Sequence, residues 1–249
     1  MLASSKGHIE VVRELLCAGA GVLVQDNAGR TSLMLASQNG HVEVVRELLS
    51  AGADFSVHED AGRTALMLAS SDGHVEVVRE LLSAGADFTV QNNNGNTALL
   101  LASSNGHVDV VRELLSAGSD FSVQENDGWT ALMLASSNGH VDVVRELLSA
   151  GSDFSVQEND GWTALMLASS NGHVEVVREL LCAGADVAAT ENDGWNALML
   201  ASSNGHVEVA RELLSAGADF TVQNNNGNTA LLLASSNGHV DVVRELLSA

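Results

Sequence analysis

Histidines, aspartates and glutamates are the side chains from which metal sites and acid–base centres are made, and this chain of 249 residues has 9 of the first and 32 of the other two. Their spacing decides what they do. Eight histidines follow a glycine, at His8, His41, His74, His107, His140, His173, His206 and His239, always 33 residues apart. Zinc draws its ligands to within about 2.0–2.3 Å of one point. One histidine per layer, with layers about 8–10 Å apart, puts no two on the same ion. Each is expected to bond to a neighbouring layer from the start of a helix. His58 lies outside the series and reads as solvated. The carboxylates recur beside asparagine, evenly dispersed, whereas calcium needs several oxygens converging on one centre. They read as solvated turns. The chain has no phosphate-cradling glycine loop and no serine or cysteine beside a non-repeating base and acid. Catalysis needs a unique constellation. No catalytic, cofactor-binding or metal-binding residue is therefore assigned, and the chain is not read as an enzyme.

The two cysteines, Cys17 and Cys182, occupy one slot of the repeat, five repeats apart. Five layers separate the thiols by tens of ångströms, beyond disulfide reach. Both are expected to be buried and reduced, which fits an intracellular, cytoplasmic protein. The sequence shows no charged-then-apolar leader and no 18-residue apolar run, so neither a signal peptide nor a membrane span is expected in it. The formal charge of −21 repels nucleic-acid phosphates and anionic lipid. Nucleic acid and membrane are thus not expected as partners, and a charge-driven partner should be basic. The same carboxylates also keep a long apolar stack soluble. Hydrophobic residues make up 45%, with no proline, no tyrosine and 3% aromatics. A core built of Leu, Val, Ala and Met favours helices.

The elements that position these residues repeat with the same period. A second glycine series, Gly29, Gly62, Gly95, Gly128, Gly161, Gly194 and Gly227, keeps the 33-residue step without insertion, which means identical units stacked in one dimension. One unit runs from Glu125 to Gln157. Asp127-Gly128 reads as a tight turn with positive φ. Thr130 to Ser137 reads as a short helix capped by Thr130. Gly139 reads as a left-handed C-terminal cap. The second helix runs from His140 to about Ala150, with an apolar stripe of Val141, Val144, Leu147 and Leu148 and Val143 beside it. Arg145 and Glu146 face away. Residues 152–156 run extended into the next turn. Small residues on the first helix (Ala131, Ala135, Ser136) let layers approach closely. Neither helix is long enough to stand alone.

These residues resemble the ankyrin repeat, a turn, two antiparallel helices and a finger loop in 33 residues. Segments such as Asn171-Gly172-His173-Val174-Glu175-Val176-Val177 and Leu180-Leu181-Cys182-Ala183-Gly184-Ala185-Asp186 carry the likeness. The resemblance implies an all-α solenoid of stacked helix-turn-helix units with finger loops. Residues 1–249 are expected to form one array of eight units, the first without its N-terminal turn and the last ending after its second helix. Where the family has Thr-Pro-Leu-His, this chain has Thr-Ala-Leu-Met or Thr-Ala-Leu-Leu, so Met or Leu replaces the packing of that histidine only. The finger slot that hydroxylases modify in the family holds Ser, Thr or Ala. The repeats are nearly identical: residues 79–117 recur unchanged at 211–249. A recent expansion and an idealised array fit that uniformity equally.

The variable slot follows each finger glycine: Arg30, Arg63, Asn96, Trp129, Trp162, Trp195 and Asn228. In the family this slot lines the concave face. Tryptophan is a frequent interface anchor. A row of indoles flanked by Glu125, Asp127, Glu158, Asp160, Glu191 and Asp193, with Asn126, Asn159 and Asn192 beside them, could grip a peptide carrying Lys or Arg through cation–π contacts. Arg30 and Arg63 would contact another part of the same ligand. The alternative is that each indole packs across the base of its finger. The function expected is a protein-interaction scaffold binding a partner protein or peptide on the concave face. The alternative is a structural or self-assembling array without a dedicated ligand. Arrays usually finish in polar caps. Here the end units keep the internal pattern (Val11, Leu15, Val243, Leu246), so head-to-tail association through exposed stacking faces is also expected.

Overall fold

The computed structural model describes residues 1–249. It contains sixteen helices and no strand, with two isolated antiparallel bridges, Gln25 with Thr31 and Thr190 with Asn196. The chain divides into two compact units, Met1–Asn126 and Asp127–Ala249. The first holds α1 (Leu2–Ser5), α2 (Ile9–Cys17), α3 (Ser32–Gln38), α4 (Val42–Ser50), α5 (Ala65–Ser71), α6 (Val75–Ser83), α7 (Ala98–Ser104) and α8 (Val108–Ser116). The second holds α9 (Ala131–Ser137), α10 (Val141–Ser149), α11 (Ala164–Ser170), α12 (Val174–Ala183), α13 (Ala197–Asn204), α14 (Val207–Ser215), α15 (Ala230–Ser236) and α16 (Val240–Ser248). Within each unit every odd-numbered helix packs on its even-numbered partner and on the next odd one, and the even helices stack likewise. This is the packing of a helical solenoid.

Short helices need defined ends, because the first four N–H groups of a helix lack intrahelical partners. The threonine before α3, α5, α7, α9, α11 and α15 supplies one acceptor: the Met166 amide donates to Thr163 Oγ1 at 3.3 Å. Asn196 does the same for Met199 at 2.9 Å. The helix therefore starts on a cap without the family's proline. Met34, Met67, Met133, Met166 and Met199 are buried, so packing does replace the histidine of that position.

α10 buries Val143, Val144 and Leu147, and α4, α6, α8, α12 and α14 bury the same three slots. Val141 and Leu148, expected in the stripe, are only half-buried. The stripe is centred one position further round because α10 contacts both α9 and α12. The segment after Gly151 is not extended throughout, as expected, but turns at Phe154-Ser155. Asp153 Oδ1 accepts the Ser155 amide at 2.8 Å and its hydroxyl at 2.6 Å. That hydroxyl first, and then the amide, hold the Asp153 carboxyl below its usual range. The cysteines also depart from expectation: Cys17 and Cys182 are exposed thiols. Their slot is filled by Ser50, Ser83 and Ser149 in other repeats and lies on the outer side of the second helix, beyond its buried stripe.

Glycine and histidine act together across each layer boundary. Gly172 has φ +76°, and a Cβ there would come within 2.6 Å of His206 Nδ1. The ring of His206 needs that open space to reach back, where its Nε2 bonds to the Ser170 carbonyl at 3.0 Å. The same bond joins His41 to Ser5 at 3.1 Å and His74 to Gln38 at 2.9 Å in the first unit. A second ladder runs between even helices. Arg13 pairs with Glu47, Arg46 with Glu80 and Arg79 with Glu113, and in the second unit Arg145 with Glu179, Arg178 with Glu212 and Arg211 with Glu245. These pairs are exposed, so water and salt screen them and each adds little to stability.

Candidate functional site

The variable slot lies at the base of each finger turn, and its backbone is fixed by the residue four positions before it. Glu158 Oε1 accepts the amides of Asp160 and Trp162, each at 2.9 Å. Glu191 accepts those of Asp193 and Trp195, each at 2.8 Å. The Glu158 amide returns a bond to the Trp162 carbonyl at 3.1 Å. Asn92 and Asn224 do the same work where the slot holds Asn96 and Asn228. Glu158 and Glu191, expected beside the indoles as charge for a ligand, hold the turn instead, a role not expected from the sequence. The signal for it was the constant spacing of a Glu, Asp or Asn before the variable position.

Successive turns are joined by asparagine. The Asn192 amide donates to the Asp160 carbonyl at 3.1 Å, and its Nδ2 reaches the Asn159 carbonyl at 3.4 Å. Asn225 repeats this onto Asp193 and Asn192. A Cβ at Gly161, whose φ is +90°, would stand 3.0 Å from Asn192 Oδ1, so the turn can carry only glycine without strain. Asn126 makes the equivalent bonds to Asn94 and Asn93 in the first unit. These asparagines thus hold the fingers in register.

In the second unit, the three indoles are half-buried and border two clefts. One, of about 560 Å³, is lined by Asp127, Trp129, Glu158, Asn159, Asp160, Trp162 and Leu167. The next, of about 440 Å³, is lined by Asp160, Trp162, Glu191, Asn192, Asp193, Trp195 and Leu200. Trp162 and Asp160 belong to both. Neither cleft is lined by a lysine or arginine, and Asp160 and Asp193 make no ion pair. Each cleft therefore combines apolar ring surface, a leucine side chain and a concentration of negative charge.

Arg30 and Arg63 lie in the first unit and are each tied within their own turn. Arg30 pairs with Asp26 at 2.8 Å and Arg63 with Glu59 at 2.9 Å. Burial pushes the Glu59 carboxyl up, but the Arg63 guanidinium and two turn amides outweigh it and leave the carboxyl low. The structure thus gathers Trp129, Trp162, Trp195, Asp127, Asp160, Asp193, Asn159 and Asn192 in one unit and places Asn126, Arg30 and Arg63 in the other.

A fold of stacked helix pairs joined by hydrogen-bonded finger turns defines a helical repeat protein. The ankyrin-repeat family matches residues 1–92, 48–125, 99–191, 148–224 and 188–249 in blocks of three repeats, and this chain belongs to that family. Ankyrin repeats are in general protein–protein interaction modules and typically non-enzymatic. A comparison with curated proteins gave no match. No helix is long and apolar enough to cross a membrane.

Proposed function

We propose that this chain is a protein-binding scaffold, not an enzyme, that takes a basic, extended peptide along its finger and first-helix face. It works inside the cell, and residues 1–249 act as one array of eight repeats, as the unbroken 33-residue register supports. The observation that carries the reading is the pair of clefts at Trp129–Trp162 and Trp162–Trp195, each with carboxylates at its rim and no cation of its own. Their volumes fall in the range of about 300–1,000 Å³ typical of ligand sites. An ammonium or guanidinium group over an indole face gains a cation–π contact, and the aspartates add charge attraction. Asp127, Asp160 and Asp193 supply that charge, while Glu158 and Glu191 are occupied in holding the turns. Layers about 8–10 Å apart match three residues of a polyproline-II ligand, which rises about 3.1 Å per residue and brings every third side chain to the same side. Cationic side chains three residues apart fit successive clefts.

The test uses the protein's own reporters, since it has 3 tryptophans and no tyrosine. Tryptophan emission is followed on titration with a flexible peptide carrying lysine at every third position. Controls have the lysines adjacent, or replaced by glutamate. Saturable change with the spaced peptide alone, weakened by salt and by Asp160→Asn with Asp193→Asn, is the expected result. An equal response to all three peptides, or none, overturns the reading and leaves the indoles as packing residues.

A further inference from the structure

One finger of the second unit departs from the pattern of its neighbours. The segment after α12 reads Asp186-Val187-Ala188-Ala189, where the finger before it reads Asp153-Phe154-Ser155-Val156 and the one after it Asp219-Phe220-Thr221-Val222. The third slot bears on the carboxylate. Asp54, Asp87, Asp120, Asp153 and Asp219 each accept a serine or threonine hydroxyl two residues on, at 2.6–2.7 Å. Ala188 has no hydroxyl, so the Asp186 carboxylate accepts its amide alone, at 2.8 Å. The fourth slot bears on the packing. Val24, Val57, Val90, Val123, Val156 and Val222 fill it elsewhere, and Ala189 leaves two methyl groups out.

A cavity of about 280 Å³ opens at that place, in the middle of the second unit. Phe154 and Gln157 of one finger and Ala185, Asp186 and Ala189 of the next wall it, together with Leu165 of α11, which is 1% exposed. The walls are fixed. Gln157 Nε2 donates to the Gly161 carbonyl at 2.7 Å and to the Thr190 carbonyl at 3.0 Å, tying the two fingers together. The edge of the Phe154 ring reaches the next layer at Gly184, where a Cβ would stand 3.9 Å from its Cζ. The hydroxyls on the lining are engaged, Ser155 with Asp153 and Thr163 with the Met166 amide. What the cavity offers a ligand is an aromatic ring, the aliphatic surface of Ala185, Ala189 and Leu165, and the open carboxylate of Asp186.

We propose that this cavity is a second binding site, for a small arylalkyl amine: a primary ammonium joined by a short linker to one aromatic ring. The ammonium donates to Asp186 in the place that a hydroxyl takes in the other fingers, a charge-assisted hydrogen bond. The ring packs on Phe154 in an offset or edge-to-face contact and covers the aliphatic wall. An unbranched lysine side chain has no ring to set against Phe154. An anion meets Asp186 and a chain of net charge −21. The volume lies just below the about 300–1,000 Å³ of drug-sized sites, which limits the ligand to a single ring. The inference does not rest on the indole clefts, which share no lining residue with this cavity.

Phenethylammonium, titrated to about 20 mM into nitrogen-15-labelled protein, is the probe, a weak range suited to so small a ligand. Amide shifts are read by NMR, and residues 187–190 have a sequence found nowhere else in the chain. Saturable shifts confined to residues 154–157 and 184–190 are expected. Phenethyl alcohol should bind about tenfold more weakly, since it lacks the charge. Nα-acetyl-lysine methylamide, with the charge but no ring, should bind several-fold more weakly, and 3-phenylpropionate should give no saturable shift. Ala189→Val and Ala188→Ser each install what the preceding finger carries, so the fold tolerates both. The first should abolish the response, and the second should weaken it about tenfold by occupying Asp186. Equal binding of amine and alcohol overturns the proposal, as does tighter binding of the lysine amide or an Ala189→Val protein that responds like the parent. So does the absence of a saturable shift, or shifts gathered instead at the indole N–H groups of Trp129, Trp162 and Trp195.

Discussion

Replacing Ser169 with alanine is expected to stabilise the protein. Ser169 is 0% exposed, and its Oγ has no hydrogen-bond partner. The same holds for Ser37, Ser70, Ser103, Ser136 and Ser202, one per layer. A buried hydroxyl without a partner costs about 1–3 kcal/mol in lost hydration. Alanine removes that cost and adds about 0.5 kcal/mol of helix propensity. Against this stands a void the size of one oxygen, about 0.3 kcal/mol at the usual cost per cavity volume. The balance is about 1–3 kcal/mol in favour of alanine, or about 2–12 °C in melting temperature for a protein of this size. The neighbouring residue is the internal control. Ser170 is half-exposed and its Oγ accepts a bond from Asn204 at 3.2 Å. Ser170→Ala loses about 0.5–1.5 kcal/mol of hydrogen bond and regains about 0.5 in propensity, so it should be neutral or slightly destabilising. Thermal unfolding by circular dichroism, with reversibility checked, compares the three proteins. The buried triple Ser136, Ser169 and Ser202→Ala should be close to additive, because the sites lie in separate layers. A loss of stability from Ser169→Ala would refute the reasoning, since it would mean that the hydroxyl has a partner worth more than its desolvation.

His206→Ala removes both the bond to the Ser170 carbonyl and the ring seated over Gly172; a loss of about 1–3 kcal/mol in urea unfolding is expected, and a neutral result would mean the ring is not holding the layers. Ser155→Ala deletes the hydroxyl that does most to depress the Asp153 carboxyl. A carboxyl with a depressed folded pKa contributes stability above its unfolded value of about 3.9 and loses it as pH falls through the folded value. The stability gap between the parent and Ser155→Ala should therefore be present at neutral pH and close below about pH 4, and a gap that does not change with pH contradicts the assignment. Both thiols should react with a chromogenic disulfide reagent in the native protein, as exposure of Cys17 and Cys182 requires; reaction only after denaturation would return them to the core.

What the sequence determined by itself is what depends on local backbone chemistry and on period. The 33-residue step set the unit and the helix pair. Thr130 as a cap and Gly139 as a positive-φ terminus were legible because a cap and a left-handed residue are each fixed within a few positions of chain. The bond from each histidine to the previous layer was legible too, since one histidine per layer left it no other companion. What the tertiary structure decided is which way each side chain points once layers stack. Ser169 and Ser170 are the same residue type side by side, yet one is sealed and the other is bonded to Asn204. Cys182 reads as a core residue by type and sits outside because its slot lies beyond the Val176, Val177 and Leu180 stripe. Glu158 reads as a ligand carboxylate and is spent on two turn amides, while Asp160 is left facing the clefts. The arginine–glutamate ladder joins residues 34 apart, and the indole clefts are walled by residues of successive repeats. Such contacts have no local signature. They arise because stacking brings the same slot of consecutive units into register, and only the packed layers show which slots then meet.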